Sequence, residues 1–181
     1  MKYYKEIELK NNKKCIIRSG SYNDGEDVLL VFKKAHGESD FLISYPDECS
    51  LTVESESNFI VKKEKSDREA LLLAIVDDKI VGFIGLDSLG NIHKLRHRCS
   101  TGLAIISEYC SLGLGYQLME ACISLARDAG YKQMELDVVS DNYKAIGLYK
   151  KCGFEEYGRN PMGFNSRISG YQEVVYMRKE L

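Results

Sequence analysis

Proline is scarce in this 181-residue chain, with only Pro46 and Pro161, and no Cys-x-x-C pair is present. The scarcity excludes Pro-rich linkers; no internal repeat or composition break appears either, and at about 150 residues per domain residues 1–181 are expected to form one unit. Long apolar runs are missing as well. The longest, Ala70 to Val76, is far short of the ~18 residues a membrane span needs, so no membrane partner is expected. No sign of charge dominates: 25 Lys+Arg against 27 Asp+Glu leave −2, which encodes no global pull toward nucleic acid or anionic lipid. Tyrosine is abundant, yet no basic–aromatic interleaving suggests a nucleic-acid platform, and Tyr3 and Tyr4 read as packing residues. The first residues carry Lys2, Lys5, Glu6, Glu8, Lys10, Lys13 and Lys14 with no apolar h-region, so a cytoplasmic location is expected. In that compartment Cys15, Cys49, Cys99, Cys110, Cys122 and Cys152 are expected as reduced thiols.

What is present suffices for a core: 44% of residues are hydrophobic and 29% charged. Cys15 to Ile17 reads as a short strand. Gly25, Glu26 and Asp27 open a helical pattern through Val28, Leu29, Phe32 and Ala35 that stops near Gly37. Thr52 to Lys65 suggests a second, more exposed helix. Ala70 to Val76 and Ile80 to Leu86 are nearly continuous β-type runs joined by Asp77-Asp78-Lys79, central strands of a hairpin. Gly102 to Ile106 forms another strand, and Leu118, Met119, Cys122, Ile123, Ala126 and Ala129 then recur at helical spacing until Gly130. Met134 to Val139 is a strand. A shorter helix follows, with Asp141 as expected N-cap and Gly153 as stop, and two strands close the chain, around Phe154 to Gly158 and Tyr171 to Arg178. The plan is α/β, a mixed sheet of about seven strands with about four helices.

Between strand and helix lies Cys110-Ser111-Leu112-Gly113-Leu114-Gly115-Tyr116. A Gly-rich turn entering a helix exposes unpaired N–H groups and the positive end of the helix dipole, which favours a phosphate or pyrophosphate. A Walker loop would require Lys-Ser/Thr after Gly115, where Tyr116-Gln117 stand, and a Rossmann fingerprint a further Gly where Leu118 stands. Both fail. By itself the glycine pair is also consistent with a simple tight turn.

About 30 residues on, Asn142-x-x-Ala145-x-x-Leu148-Tyr149-x-x-x-Gly153-Phe154 resembles the second signature of the GNAT superfamily of acyl-CoA N-acyltransferases, and the glycine turn resembles the first, Gln/Arg-x-x-Gly-x-Gly/Ala. The resemblance covers Leu71 to Leu181. Cys110 departs from it, standing where the family usually has Gln or Arg, and Ser111 stands where Gly or Asn is common. The resemblance implies a single-domain, mostly antiparallel mixed sheet with acetyl-CoA held between two splayed strands. Leu103, Ala104 and Ile105 would pair with the pantetheine arm, Ser111, Leu112, Gly113, Leu114, Gly115 and Tyr116 would hold the pyrophosphate, and Asn142 would contact the arm. Tyr149 matches the family's general acid, and a phenol of pKa about 10 suits protonation of a thiolate. Asp137 resembles the carboxylate base of protein N-terminal amine acetyltransferases, with Glu108, Glu69 or a water chain as rivals. The implied reaction is direct attack of a primary amine on acetyl-CoA, the acceptor being a small amine, an amino acid or a protein N-terminus. Acceptor choice would reside in about Ala35 to Glu54 and Arg159 to Tyr171. The alternative is a non-catalytic CoA-binding regulatory module, motivated by Cys110-Ser111.

The remaining features have plainer readings. His93-x-x-x-His97-x-Cys99 leads into a strand with no fourth ligand, so no metal site is expected. Lys94, Arg96, His97 and Arg98 read as a solvated hairpin edge or as contacts to an anion. Lys150 and Lys151 suit either a nucleotide phosphate or the negative end of their helix. Cys110, near a helix N-terminus, is expected to have a lowered pKa and to be open to alkylation, without a catalytic role. Exposed sheet edges make a homodimer credible.

Overall fold

The computed structural model describes residues 1–181. In chain order it contains β1 (Tyr4–Glu8), β2 (Lys14–Ser19), α1 (Gly25–Glu38), α2 (Val53–Lys65), β3 (Ala70–Val76), β4 (Lys79–Ser88), β5 (Arg98–Ile105), α3 (Leu114–Asp128), β6 (Gln133–Val139), α4 (Tyr143–Lys151), β7 (Glu155–Ser166) and β8 (Gly170–Glu180). The strands form one eight-stranded sheet in the order β1-β2-β3-β4-β5-β6-β8-β7. Every neighbouring pair is antiparallel except β5 and β6. The mixed, mostly antiparallel plan and its four helices follow the expectation; the strand count exceeds it by one, β1.

Local chemistry explains the boundaries. Val76 pairs with Lys79, and Asp77 and Asp78, at φ 50° and 60°, make the two-residue left-handed turn that matches strand twist. Thr52 Oγ1 accepts from Ser55 N while Ser55 Oγ accepts from Thr52 N, a reciprocal cap that starts α2. Asn142, rather than Asp141, caps α4: its Oδ1 accepts from Ala145 N at 3.2 Å. Gly130 and Gly153, at φ 80° and 85°, take the left-handed positions that end α3 and α4.

Adjacent strand residues point to opposite faces of the sheet, and two contacts show which helices cover which face. Lys63 of α2 meets Asp87, whereas Cys122 of α3 lies 3.5 Å from Thr101 Oγ1, next to Ser100, the residue that pairs with Asp87. Helix α2, with α1 packed against it, therefore covers one face and α3 the other. The core fills both layers, with Ile17, Ile60, Leu73 and Ile84 among its fully enclosed side chains, and Leu118, Met119 and Met134 likewise. Tyr3 packs against this core, but Tyr4 is 63% exposed on the edge strand, contrary to its expected packing role.

Candidate active site

The parallel pair is short. β5 and β6 pair only where Arg98, Cys99 and Ser100 meet Gln133, Met134 and Glu135. Beyond that, β5 pairs with β4 alone and β6 with β8 alone, so the two strands splay and a gap opens in mid-sheet. Their polar main-chain groups line it. Ile106 N donates to Val81 O (3.1 Å), so residues in step with Ile106 pair with β4 and the amides and carbonyls of Leu103 and Ile105 turn into the gap. Ala104 is in step with Ile106; it spends its main-chain groups on β4 and its side chain in the core, unlike the role expected for it.

At the end of β5 the chain reaches the glycine turn. Gly113, at φ 88°, is the left-handed N-cap of α3. The N–H groups from Ser111 through Tyr116 donate to no protein acceptor; the next, Gln117 N, is the first to bond, to Gly113 O. A row of free donors at the positive end of a 15-residue helix is the arrangement that holds a phosphate, and the turn thus fits a diphosphate group. Gly115 lies where α3, α4 and β5 converge: a Cβ there would stand 3.1 Å from Leu148 Cδ2 and 3.6 Å from Ile105 Cδ1 and Leu103 Cδ2.

Tyr149 enters from α4, whose Leu148 borders Gly115. The residue is 8% exposed, and its ring packs at 6.0 Å and 58° against Phe154. No protein group bonds its hydroxyl, and no buried polar side-chain atom in the chain lacks a partner, so the hydroxyl itself reaches solvent. Burial, then the neighbouring Cys152 thiol, pushes the phenol up to about 12. Asn142 spends Oδ1 on the helix cap and leaves its amide NH2 free.

Asp137 opens on the opposite face from Leu136 and Val138, away from α3. Partial burial, and then the charge of Glu135 two residues away, raises its carboxyl above the ordinary range. Glu135 itself is held low by Arg98, whose Nε and Nη2 meet its two oxygens at 2.5 and 2.7 Å, and Gln133 adds a bond of 2.8 Å. Arg98 is accordingly the first residue of an interior strand and not part of a solvated edge. The sequence reading missed this pair because the charges lie 37 positions apart. The rival bases are placed elsewhere: Glu69 accepts from Ser88 N and lies 3.7 Å from Lys63, and Glu108 sits exposed beyond β5.

Other expectations resolve as follows. Cys110 is exposed, but burial of its thiol raises its pKa, with Lys144 opposing, so the lowered value does not occur. Its Sγ points back to the carbonyls of Ile105 and Ile106, short of the helix that begins at Leu114. His93 and His97 are exposed, whereas Cys99 is enclosed in β5 with Sγ on Gln133 O, so the three do not converge. Lys151 Nζ stands 4.4 Å from the centroid of the Tyr116 ring, on the glycine turn's side of α4.

The two regions expected to set acceptor choice are tied together. Asp40, in the α1–α2 connection, accepts from Ser166 Oγ on both oxygens (2.7 and 2.8 Å), Ser169 Oγ (2.9 Å), Tyr45 Oη (3.1 Å) and Gln172 Nε2 (3.2 Å). Arg167, in the β7–β8 turn, stacks over Tyr45 at 4.4 Å and pairs with Asp47 and Glu48.

Comparison with known proteins agrees with this geometry. An N-alpha-acetyltransferase of Sulfurisphaera tokodaii is 28% identical over 159 residues, 82% of this chain and 85% of that protein. An L-amino acid N-acetyltransferase of Escherichia coli, AaaT, is 27% identical over 133 residues, 72% and 81% of the two chains. The crystal structure of a GNAT-family acetyltransferase from Streptococcus pneumoniae superposes with a TM-score of 0.88 at 27% identity, covering 92% of this chain and 99% of that one. The Acetyltransferase (GNAT) family model matches residues 38–154, from the end of α1 through the second signature, and the chain belongs to that family.

Proposed function

We propose that the chain moves an acetyl group from acetyl-CoA to a primary α-amine, of an amino acid or a protein N-terminus, by direct attack and without a covalent enzyme intermediate. The observation that carries the reading is the row of unpaired N–H groups from Ser111 through Tyr116 at the mouth of the β5–β6 gap. Acetyl-CoA supplies an activated thioester and an anionic diphosphate handle. Ser111, Leu112, Gly113, Leu114, Gly115 and Tyr116 hold that handle with main-chain donors and the α3 dipole. Leu103 and Ile105 offer amides and carbonyls to the pantetheine arm as a sheet edge offers them to an added strand. Asn142 donates its free amide hydrogens to the same arm.

Three things are then needed: an uncharged amine, an oriented thioester and a proton for the departing sulfur. Asp137, in the gap from the face opposite α3, takes the ammonium proton, directly or through water. A carboxyl raised above its ordinary range by burial and by the charge of Glu135 is a better proton acceptor than a free one. The amine nitrogen bonds to the acetyl carbon as the carbon–sulfur bond breaks, and Tyr149 gives the sulfur its proton. The second proton of the attacking nitrogen passes through water to the Tyr149 phenolate, leaving a neutral amide and free thiol. Burial carries the phenol to about 12, so Tyr149 keeps its proton near neutrality and has it to give to the departing thiolate. The preference for an α-amine is supported by the two curated relatives and by its modest basicity, about 8 against about 10.4 for a lysine side chain, which asks less of Asp137.

Thiol release from acetyl-CoA across amino acids, N-terminal peptides and blocked peptides with one free lysine tests the reading. Turnover is expected with α-amines. No release with any amine, and no thermal stabilisation by acetyl-CoA, where ~2.7 kcal/mol is expected at 100 times the dissociation constant, would overturn it.

A further inference from the structure

We infer that Lys10, in the turn between β1 and β2, is a second anchor for the cofactor's phosphates; the inference rests on the acetyl-CoA reading above. From Cys110 through Tyr116 the glycine turn carries no cationic side chain, so it meets a dianionic group with N–H dipoles alone. The β1–β2 turn is docked onto it. Lys10 N donates to Leu112 O (3.1 Å), and Lys5 Nζ in β1 donates to Gln117 Oε1 in the first turns of α3 (3.2 Å).

This turn is stiff. Leu9, 3% exposed, is sunk in the core, Leu9 N bonds Lys13 O at 2.9 Å, and Asn12, at φ 62°, bonds back to Leu9 O at 2.8 Å. Its rigidity fixes where Lys10 leaves the backbone. The stem of Lys10 lies along Gly113: a Cβ on that glycine would stand 4.0 Å from both Cγ and Cε. Lys13, Lys34 and Lys63 each have a carboxylate partner, whereas Lys10 Nζ has neither an ion pair nor a hydrogen bond to protein. An unpaired ammonium on a stem that runs along Gly113 can bring a point charge to a phosphate that the main-chain dipoles of the turn hold from the other side. Lys151, by contrast, already has its charge over the Tyr116 ring. At the glycine turn, where Cys110 stands in place of the expected Gln or Arg, Lys10 supplies a cation from a distant part of the chain.

The test is calorimetric titration of wild type, Lys10→Met and Lys10→Arg with acetyl-CoA and with S-acetylpantetheine, which lacks the nucleotide and its diphosphate. For acetyl-CoA, Lys10→Met is expected to weaken binding on the order of tenfold and to flatten its salt dependence, with Lys10→Arg recovering most of the loss. S-acetylpantetheine is expected to bind all three alike, and their ligand-free melting temperatures to coincide, because the side chain is exposed. Equal acetyl-CoA affinity of wild type and Lys10→Met overturns the role of Lys10 and leaves the acetyl-CoA reading standing. Wild type that binds no acetyl-CoA removes both. Equal weakening toward S-acetylpantetheine, or a lowered melting temperature, assigns Lys10 to scaffolding and overturns the inference.

Discussion

Replacing Tyr149 with Phe removes one oxygen atom and tests the proposed proton donor almost in isolation. The hydroxyl has no protein partner, so no structural hydrogen bond is lost, and the ring keeps its packing on Phe154. Stability is therefore expected to change by no more than about 0.5 kcal/mol. General acids contribute about 10²–10⁴ in rate, so turnover should fall by at least about a hundredfold, some 3 kcal/mol of barrier, with acetyl-CoA affinity unchanged. Tyr149→Ala separates packing from proton transfer: an enclosed aromatic truncated to methyl costs ~3–5 kcal/mol and should lower the melting temperature as well. The pH profile adds a second readout. A phenol at about 12 stays protonated throughout the assay range, so wild-type turnover should show no decline from Tyr149 through pH 10, where an ordinary phenol would be half ionised. Thiol release by stopped assay, calorimetry for affinity and thermal melts together decide the matter. Unchanged turnover in Tyr149→Phe refutes the assignment; turnover absent from wild type, with acetyl-CoA bound, favours the non-catalytic module instead.

Three further outcomes follow from the geometry. Glu135→Gln removes the like charge that helps raise Asp137, so the acid limb of kcat/KM, which rises as Asp137 ionises, should move to lower pH; an upward or absent shift would exclude Asp137 as the base. Gly115→Val adds methyl groups where a bare Cβ already meets Leu148 at 3.1 Å, and should cost about 1–3 kcal/mol in thermal unfolding and raise KM for acetyl-CoA. Arg18→Met strips the bidentate partner from Asp24, whose carboxyl burial would raise but Arg18 and Ser21 hold low. A depressed carboxyl contributes stability that is present above its unfolded value, near 4, and lost as pH falls through the folded value. The variant should therefore lose about 2 kcal/mol near neutrality and unfold at higher pH on acid titration followed by circular dichroism.

The parts legible in the sequence were those whose apolar pattern is local. The helix from Leu114 onward, the hairpin at Asp77-Asp78 and the α4 signature all announce themselves within a few turns of chain. β1 escaped because Tyr-Lys-Glu-Ile-Glu has one apolar residue facing inward and otherwise carries the charge typical of a sheet edge. β7 reads as broken because Pro161 and two register shifts interrupt it, which an edge strand tolerates. The early start of β5 was hidden by Arg98, whose charge is cancelled only by tertiary contact with Glu135. At the site, the glycines foretold the free amides but not the alternation that excludes Ala104, nor the lysine that folding brings to Gly113 from the far end of the chain.

The bonds that converge on Asp40 bear on any attempt to retarget the enzyme. Grafting a donor protein's α1–α2 connection alone would strand Ser166, Ser169 and Gln172 without their common acceptor, and grafting the β7–β8 turn alone would leave Asp40 facing unmatched chemistry. The two stretches form one exchangeable cassette, and chimeras that swap both should fold where single-segment chimeras fail.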